Sequence, residues 1–211
     1  MFIELIEALR CPRHDEDSAL VAAAERTESR HILDGVLGCP VCGAEFRIAK
    51  GIAYFDEPRT PTRHESADAE TGMRVAAFLE LTDARSFAVL CGRWGAQLDF
   101  LLRLTQTPLV LLNPPPDTPV DAAAGVLITR DVAPFAADSV RAAALDAGND
   151  PLAASMIRAV RPRGRMIGPE SLRVSGGVTE IARDARMWVG EKAAAPDGEG
   201  TPRLVPLKRA R

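Results

Sequence analysis

The amino-acid sequence predicts an α/β protein in two parts: a small α+β module, then a mainly parallel sheet with helices on both faces. Two observations lead to this prediction. Residues 1–57 contain closely paired cysteine and histidine residues, and after residue 70 short apolar runs alternate with stretches of helical periodicity. Such alternation is typical of βαβ units. We place the module at 1–57, a linker at 58–70, the larger domain at 71–192 and a flexible basic tail at 193–211.

The charge and the apolar pattern exclude several classes of protein. The net charge of the 211 residues is −3, so nucleic acid is not indicated as a partner. No apolar run approaches the roughly 18 residues that a membrane-spanning helix needs. The first residues, MFIELIEALRCP, carry acids where a signal peptide carries bases. We therefore expect a cytoplasmic protein without a membrane partner.

Two short motifs in the module pair potential metal ligands. Cys11-Pro12-Arg13-His14 is a C-x2-H motif, and Cys39-Pro40-Val41-Cys42-Gly43 is a C-x2-C motif. Two-residue spacing lets both ligands of a pair reach one tetrahedral ion from a tight turn, and sulfur and imidazole favour Zn²⁺ over harder cations. These motifs predict a zinc site formed by Cys11, His14, Cys39 and Cys42. Four protein ligands leave no position for water, so the ion would be structural.

Alternative ligands are also present in the module. His31 is an alternative imidazole, and the acids Asp15, Glu16 and Asp17 are alternative ligands, although the spacing favours His14. Fortuitous placement of these residues in loops is the remaining alternative. Cys91 stands apart in the sequence and is predicted to be a small buried hydrophobe.

The residues around the two motifs predict the rest of the module. Apolar residues from Phe2 to Leu9 recur at helical spacing, which predicts a short amphipathic helix leading into the first motif. Strands are predicted at 18–24 and 29–37, and a hairpin is predicted around the Lys50-Gly51 turn, with arms at 44–48 and 52–55.

Over residues 1 to about 56 the module resembles the small zinc-ribbon proteins that activate RNA- and protein-methylating enzymes. In that family an aromatic-x-I-x-x-G-I-P hairpin follows the second ligand pair. The segment Phe46-Arg47-Ile48-Ala49-Lys50-Gly51-Ile52-Ala53 matches it, except that alanine stands at the proline position. His14 departs from the commoner cysteine. The resemblance implies a protein partner bound through the zinc module or a sheet edge, by addition of a strand.

The second part is predicted to alternate strands and helices. Helices are expected at 67–81, 96–104 and 151–160. Strands are expected at 86–91, 109–112, 125–129, 140–145, 165–167, 178–182 and 187–189, the fifth of them following a Pro162-Arg163-Gly164 turn.

Residues 70–191 resemble the class I S-adenosylmethionine-dependent methyltransferases, which have a Rossmann-like fold. The segment 131–140, DVAPFAADSV, matches the family's D-x-x-x-L-P-F-x-x-x-S-F-D passage, and the segment 157–167, IRAVRPRGRMI, matches E-x-x-R-V-L-K-P-G-G-R-L. The two passages occur in the family's order. The resemblance implies S-adenosylmethionine as a cofactor beside structural Zn²⁺.

The cofactor positions implied by this resemblance are only partly retained. Gly92 and Gly95 remain from the glycine-rich loop after the first strand, and no acid precedes them. Asn113 stands where an acid would bind both ribose hydroxyls, and an amide lacks the charge for this. Asp131 stands where an acid contacts the adenine amino group.

Several neighbouring residues have two interpretations each. Arg93 and Trp94 either fill an emptied pocket or contact a different, anionic ligand. The Asn113-Pro114-Pro115-Pro116 segment resembles the N-P-P-aromatic motif of some methyltransferases, but it follows the second strand and lacks the aromatic residue. Asp146 and Asp150 are either solvated loop acids or groups that orient a nucleophile.

Two functions follow from these residues. One is a methyltransferase-like protein with a structural zinc module and a degraded cofactor site, still active in methyl transfer. The alternative is a non-catalytic relative that acts as an interaction or regulatory module. No general base, nucleophile or metal-activated water is evident, so no residue is assigned a catalytic role. Methyl transfer needs little of that chemistry, because placing the two reactants in line supplies much of its acceleration.

Overall fold

The computed structural model describes residues 1–14, 17–57, 68–84, 86–118, 124–173 and 176–194. The predicted linker therefore lies mostly outside the described residues, as does the predicted tail beyond residue 194. In the described part of the chain, no helix is both long and apolar enough to cross a membrane.

Four strands form the first part of the sheet. They are β1 (Val21–Glu28), β2 (His31–Gly38), β3 (Glu45–Ala49) and β4 (Ile52–Tyr54). Each pairs antiparallel with the next. The predicted hairpin turn is present, with positive φ at Lys50 (51°) and Gly51 (78°). Two consecutive residues of this kind match the right-handed twist of a tight hairpin.

The described residues of the second part form seven strands and three α-helices. The helices are α1 (Ala69–Phe78), α2 (Leu98–Leu104) and α3 (Ala153–Ala159). The strands are β5 (Ala88–Cys91), β6 (Leu109–Leu112), β7 (Ala124–Ile128), β8 (Val140–Ala144), β9 (Val160–Pro169), β10 (Val178–Arg183) and β11 (Met187–Lys192). Strands β5 to β9 pair in parallel, and β11 runs antiparallel beside β9. The predicted α/β class, with a largely parallel central sheet of Rossmann-like type, is confirmed.

The two predicted parts share one sheet. Its strand order is β1-β2-β3-β4-β7-β6-β5-β8-β9-β11-β10. The junction is a parallel pairing of β4 with β7, in which Ile52, Ala53 and Tyr54 lie opposite Val126, Leu127 and Ile128. The module's last strand thus satisfies the edge of the larger sheet within the same chain.

Each face of the sheet is covered by a different set of elements. On one face a 3-10 helix, Ile3–Ala8, packs on β7, where a side chain at Gly125 would meet Leu5 at 2.8 Å and Phe2 at 3.0 Å. Buried Leu9 and Phe135 continue that cluster. On the other face α1 and α2 pack with the buried Trp94 against the central strands. The module therefore supplies part of the cover that the larger sheet needs.

Three local predictions were wrong in detail. The helix expected over 2–9 is a 3-10 helix, and the helix expected from Ala96 is preceded by another 3-10 segment, Gly92–Gln97. The predicted Pro162-Arg163-Gly164 turn lies inside β9. There the pairing shifts register from Val140–Val160 to Ala142–Arg165, so the extra residues form a bulge.

Candidate functional site

The four predicted metal ligands lie together at one end of the module. The ligand atoms of Cys11, His14, Cys39 and Cys42 all lie within 4.8 Å of one another. The Sγ atoms of Cys11 and Cys42 are 3.7 Å apart, and Nε2 of His14 is 3.3 Å from Sγ of Cys39. Three sulfur atoms and one imidazole nitrogen at such distances fit a single tetrahedral Zn²⁺.

Tight turns in the backbone place these ligands. The N–H of Gly43 donates to the carbonyl of Cys39 at 3.0 Å, and the N–H of Cys39 donates to the carbonyl of Ala44 at 2.8 Å. Gly43 has φ of 70°, which glycine adopts without a steric penalty. On the other side, the N–H of Cys11 donates to the carbonyl of Ser18 at 3.0 Å.

The pKa values of the two buried cysteines of this cluster, Cys11 and Cys39, shift in opposite directions. Burial raises the pKa of Cys11 to about 11. Burial also opposes ionisation of Cys39, but hydrogen bonds from the backbone of Cys42, from His14 and from the Ser18 hydroxyl outweigh it and lower its pKa to about 5. A thiolate is the form that binds a metal ion, so the turn after β2 favours the metal-binding form of Cys39.

The alternative ligands lie elsewhere or outside the described residues. Nδ1 of His31 lies 2.9 Å from the carbonyl oxygen of Ser29, and the ring packs edge-on to Phe2. Asp17 pairs with Arg10 at 3.0 Å. Asp15 and Glu16 are outside the described residues.

A second group of predicted residues lies at the carboxyl ends of the parallel strands. Gly92 follows β5, Asn113 follows β6, Asp131 comes shortly after β7, and Asp146 follows β8. Neighbouring carboxyl ends meet at the same edge, and ligands of open α/β sheets bind there. The structure thus brings Gly92, Asn113 and Asp146 to one edge, while Asp131 is exposed beside it.

The glycine loop is closely backed by side chains of the loop after β8. Gly92 has φ of 58°, and a Cβ atom there would overlap the carboxylate of Asp146 and lie 2.7 Å from Nδ2 of Asn149. Asp146 also accepts a hydrogen bond from the N–H of Arg93 at 3.1 Å. A Cβ at Gly95 would lie 3.0 Å from Pro114. Other residues of the chain therefore pack closely against both retained glycines.

The side chain of Asn113 makes two hydrogen bonds within the protein. The resemblance implies that this residue would contact the ribose of the cofactor. Its Nδ2 donates to Oδ1 of Asn149 at 2.8 Å, and its Oδ1 accepts from the N–H of Thr129 at 2.9 Å. Asn149 was missed by sequence reasoning. Its position three residues after Asp146, in the loop beyond β8, was the available signal.

Arg93 and Trp94 have different environments. Trp94 is buried, and its indole N–H donates to the carbonyl of Leu145 at 2.6 Å. Arg93 is partly exposed, lies over the Trp94 ring at 4.8 Å and pairs with Asp146 at 3.6 Å. Trp94 is thus a packing residue, whereas Arg93 remains accessible. Cys91 is fully buried, as predicted.

Comparison with known proteins gives a limited picture. No family model matches the chain, and no curated protein matches it. A chain in the complex of the Haloferax volcanii Trm112 methyltransferase activator with a protein described as a methyltransferase aligns with a TM-score of 0.46 at 12% identity, covering 58% of this chain and 89% of that one.

Two further solved structures are similar at the same level. For the geranyl diphosphate C-methyltransferase from Streptomyces coelicolor the TM-score is 0.39 at 13% identity, with 47% of this chain and 43% of that chain covered. For an S-adenosylmethionine-dependent O-methyltransferase from Thermotoga maritima it is 0.38 at 11%, with 78% of that chain and 77% of this one covered. All three TM-scores are below 0.5, and similarity at this level does not assign a function.

Proposed function

We propose that this chain is a methyltransferase-like protein with a built-in structural zinc module, and that it acts as a non-catalytic interaction or regulatory module. One observation carries this proposal. The side chains at the carboxyl ends of β5, β6 and β8 contact one another. Asn113 donates a hydrogen bond to Asn149, and the loop after β8 packs on Gly92. A nucleoside cofactor would have to break these contacts without gaining a carboxylate for its ribose.

The zinc ion has a structural role in this proposal. Cys11, His14, Cys39 and Cys42 supply four ligands, so the ion would keep no open position for a substrate or for water. The ion would hold the turn after β2 against the segment after Leu9. Both segments continue into elements that contact the larger sheet, so the metal would support the whole fold.

The module's docking mode is also part of the proposal. Strand β4 extends the sheet at β7, which is the strand addition implied by the resemblance to activator proteins, made here within one chain. In the described residues, the strands that remain at the ends of the sheet are β1 and β10. We propose that a protein partner pairs with one of these ends, because β4 is already engaged on both sides.

S-adenosylmethionine-dependent methyl transfer is the second candidate function. It is favoured by the positions of Gly92, Asn113 and Asp131 after three neighbouring parallel strands, which is the arrangement that the resemblance implies for the cofactor. An asparagine can still accept one hydrogen bond from a ribose hydroxyl. Under this candidate, the internal hydrogen bonds of Asn113 would open on binding.

Calorimetric titration with S-adenosylmethionine and with S-adenosylhomocysteine separates the two candidates. The protein used should contain one zinc ion per chain and unfold cooperatively, so that a negative result comes from folded protein. We expect no heat of binding from either compound. A dissociation constant below about 100 µM, within the range of ordinary enzyme substrates, would establish the cofactor site and reject the non-catalytic assignment.

A further inference from the structure

A cavity of about 420 Å³ lies beside the loop that follows β5. Three elements form it: the start of α1, the 3-10 segment after β5, and the turn between β10 and β11. Its lining residues are Asp68, Thr71, Arg93, Trp94, Gln97, Arg186 and Met187. Trp94 and Met187 give it apolar walls, and the other five give it polar groups.

One polar group in this cavity, the side-chain oxygen of Gln97, is buried without a hydrogen-bond partner among the described residues. Gln97 is only 5% exposed, and its Oε1 atom has no partner. The Nε atom of Arg93 is also buried, but it is paired with Oδ1 of Asp146 at 3.6 Å. Buried polar groups are nearly always hydrogen-bonded in folded proteins, and each exception needs an explanation. The unpaired oxygen of Gln97, in a cavity that also contains two arginines, indicates that a bound molecule completes it.

The charges in the cavity favour an anion. Arg93 and Arg186 are the two cationic residues in the lining. Asp68, the acid among the described lining residues, caps α1 by accepting a hydrogen bond from the N–H of Thr71 at 2.8 Å. That hydrogen bond is the main cause of the lowered pKa of Asp68, and the charge of Arg186 lowers it further. Asp146 lies behind Arg93 and neutralises part of its charge.

We propose that this cavity binds a small oxyanion, a phosphate or a carboxylate, that also carries a hydrogen-bond donor. The oxyanion binds to the guanidinium groups of Arg93 and Arg186, which suit planar two-point contacts with such oxygens. The donor group binds to Oε1 of Gln97, which can only accept. This site goes beyond the proposed function and does not depend on whether S-adenosylmethionine binds.

Trp94 gives a local reporter for this site. The protein has two tryptophans, and each indole N–H has a fixed partner: Leu145 for Trp94 and Leu172 for Trp188. Their two indole N–H signals in a ¹H–¹⁵N correlation spectrum can be assigned with Trp94→Phe and Trp188→Phe. Titration with inorganic phosphate and, separately, with L-malate should shift the Trp94 signal and leave the Trp188 signal in place.

A matched pair of arginine variants assigns the binding to this cavity. Arg186 lines it, whereas Arg183, in the same hairpin, pairs with Glu180 at 2.7 Å and does not line it. We expect Arg186→Gln to weaken binding about tenfold or more, the loss of one charge-assisted hydrogen bond, and Arg183→Gln to change it less than about twofold. No shift of Trp94 with either compound at about 20 mM, equal shifts of both tryptophans, or equal effects of the two variants would overturn the proposal.

Gln97 and sulfate test the hydrogen-bond donor. Sulfate has no proton to donate at neutral pH, so it should bind at least about fivefold more weakly than phosphate, and equal binding would contradict the role given to Gln97. Gln97→Leu should weaken phosphate binding and raise the melting temperature of the free protein, because it removes a buried group that has no partner. A variant that is less stable but binds phosphate normally would show that Gln97 only packs.

Discussion

Asn113 donates a hydrogen bond to Asn149 at 2.8 Å, and this bond joins the end of β6 to the loop after β8 across the end of β5. The bond covers the point where the strand order reverses, which is where open α/β sheets bind ligands. Asn113 adopts a positive φ of 52°, a conformation that asparagine tolerates better than most residues. The side-chain amide of Asn113, at the position where the resemblance implies contact with the ribose, is thus hydrogen-bonded to other residues of the protein.

Asn113→Asp tests whether the missing carboxylate alone explains the loss of a cofactor site. The variant restores the acid while keeping the acceptor for the Thr129 N–H, and the Asn149 amide can rotate to donate to it. We expect it to fold, with a stability change of about 1 kcal/mol or less, and still to give no heat with S-adenosylmethionine. Binding by this variant would show instead that the edge is open and lacks only the charge.

Gly92→Ala tests how closely the loop after β8 packs on the glycine loop. A methyl group at Gly92 would meet the side chains of Asp146 and Asn149 and would require a positive φ in a residue with a Cβ. We expect a loss of about 1–3 kcal/mol in the free energy of unfolding, measured with a chemical denaturant.

Gly148→Ala is the matched control, since no atom from elsewhere in the described structure lies within 4 Å of the position of its Cβ. Its stability should change by less than about 0.5 kcal/mol. Equal effects of the two substitutions would mean that the loop after β8 stands away from Gly92 in solution.

Many of the strands are short runs of buried apolar residues, so local patterns in the sequence predict them well. The predicted bounds of the strand Leu109–Leu112 agree with the structure at both ends. The predicted turn at Lys50-Gly51 is also present, with positive φ at both residues. Interactions between distant residues were not predictable in this way. The Asn113–Asn149 hydrogen bond spans 36 positions, and neither residue has a local signal for its partner.

The junction of the two parts shows the same limit. The sequence placed β4 and β7 in separate domains, because a polar stretch with two prolines stands between them. The parallel pairing of these strands depends on a free sheet edge, which exists only once the larger sheet has formed. The bulge in β9 also depends on distant pairing. Pro162 and Gly164 locally favour the predicted turn, but pairing with β8 extends the strand through them.

Cys39→Ser tests the zinc site and its effect on the whole fold. We expect loss of the bound zinc, measured by elemental analysis, and a fall in the free energy of unfolding of more than about 3 kcal/mol. Because the module's strands belong to the common sheet, a chelator should lower the melting temperature of one single transition.

Cys91→Ala is the control for removal of a buried cysteine. Cys91 is buried in β5, away from the cluster, so this variant should keep one zinc ion per chain and lose only about 1–2 kcal/mol of stability. Retention of zinc by Cys39→Ser would refute the ligand set.

Asp56→Asn tests the attachment of the module to the larger sheet. Asp56 follows β4, and its carboxylate accepts a hydrogen bond from the N–H of Arg130 at 2.8 Å and pairs with Arg13 at 3.5 Å. Next to it, the N–H of Phe55 donates to the carbonyl of Ile128 at 2.8 Å. An amide keeps the acceptor but loses the charge, so we expect a loss of about 1–2 kcal/mol in the free energy of unfolding.

Hydrogen exchange locates this effect, and Glu57→Gln is its control. In Asp56→Asn the backbone amides of Phe55 and Arg130 should exchange faster than in the wild type, while amides in the centre of β5 should change less. Glu57 is exposed, so its substitution should alter stability by less than about 0.5 kcal/mol. An Asp56→Asn variant with unchanged exchange at both amides would show that Asp56 does not hold the two parts together. The β4–β7 pairing and the bridge of Leu9 with Phe135 would then suffice for the attachment.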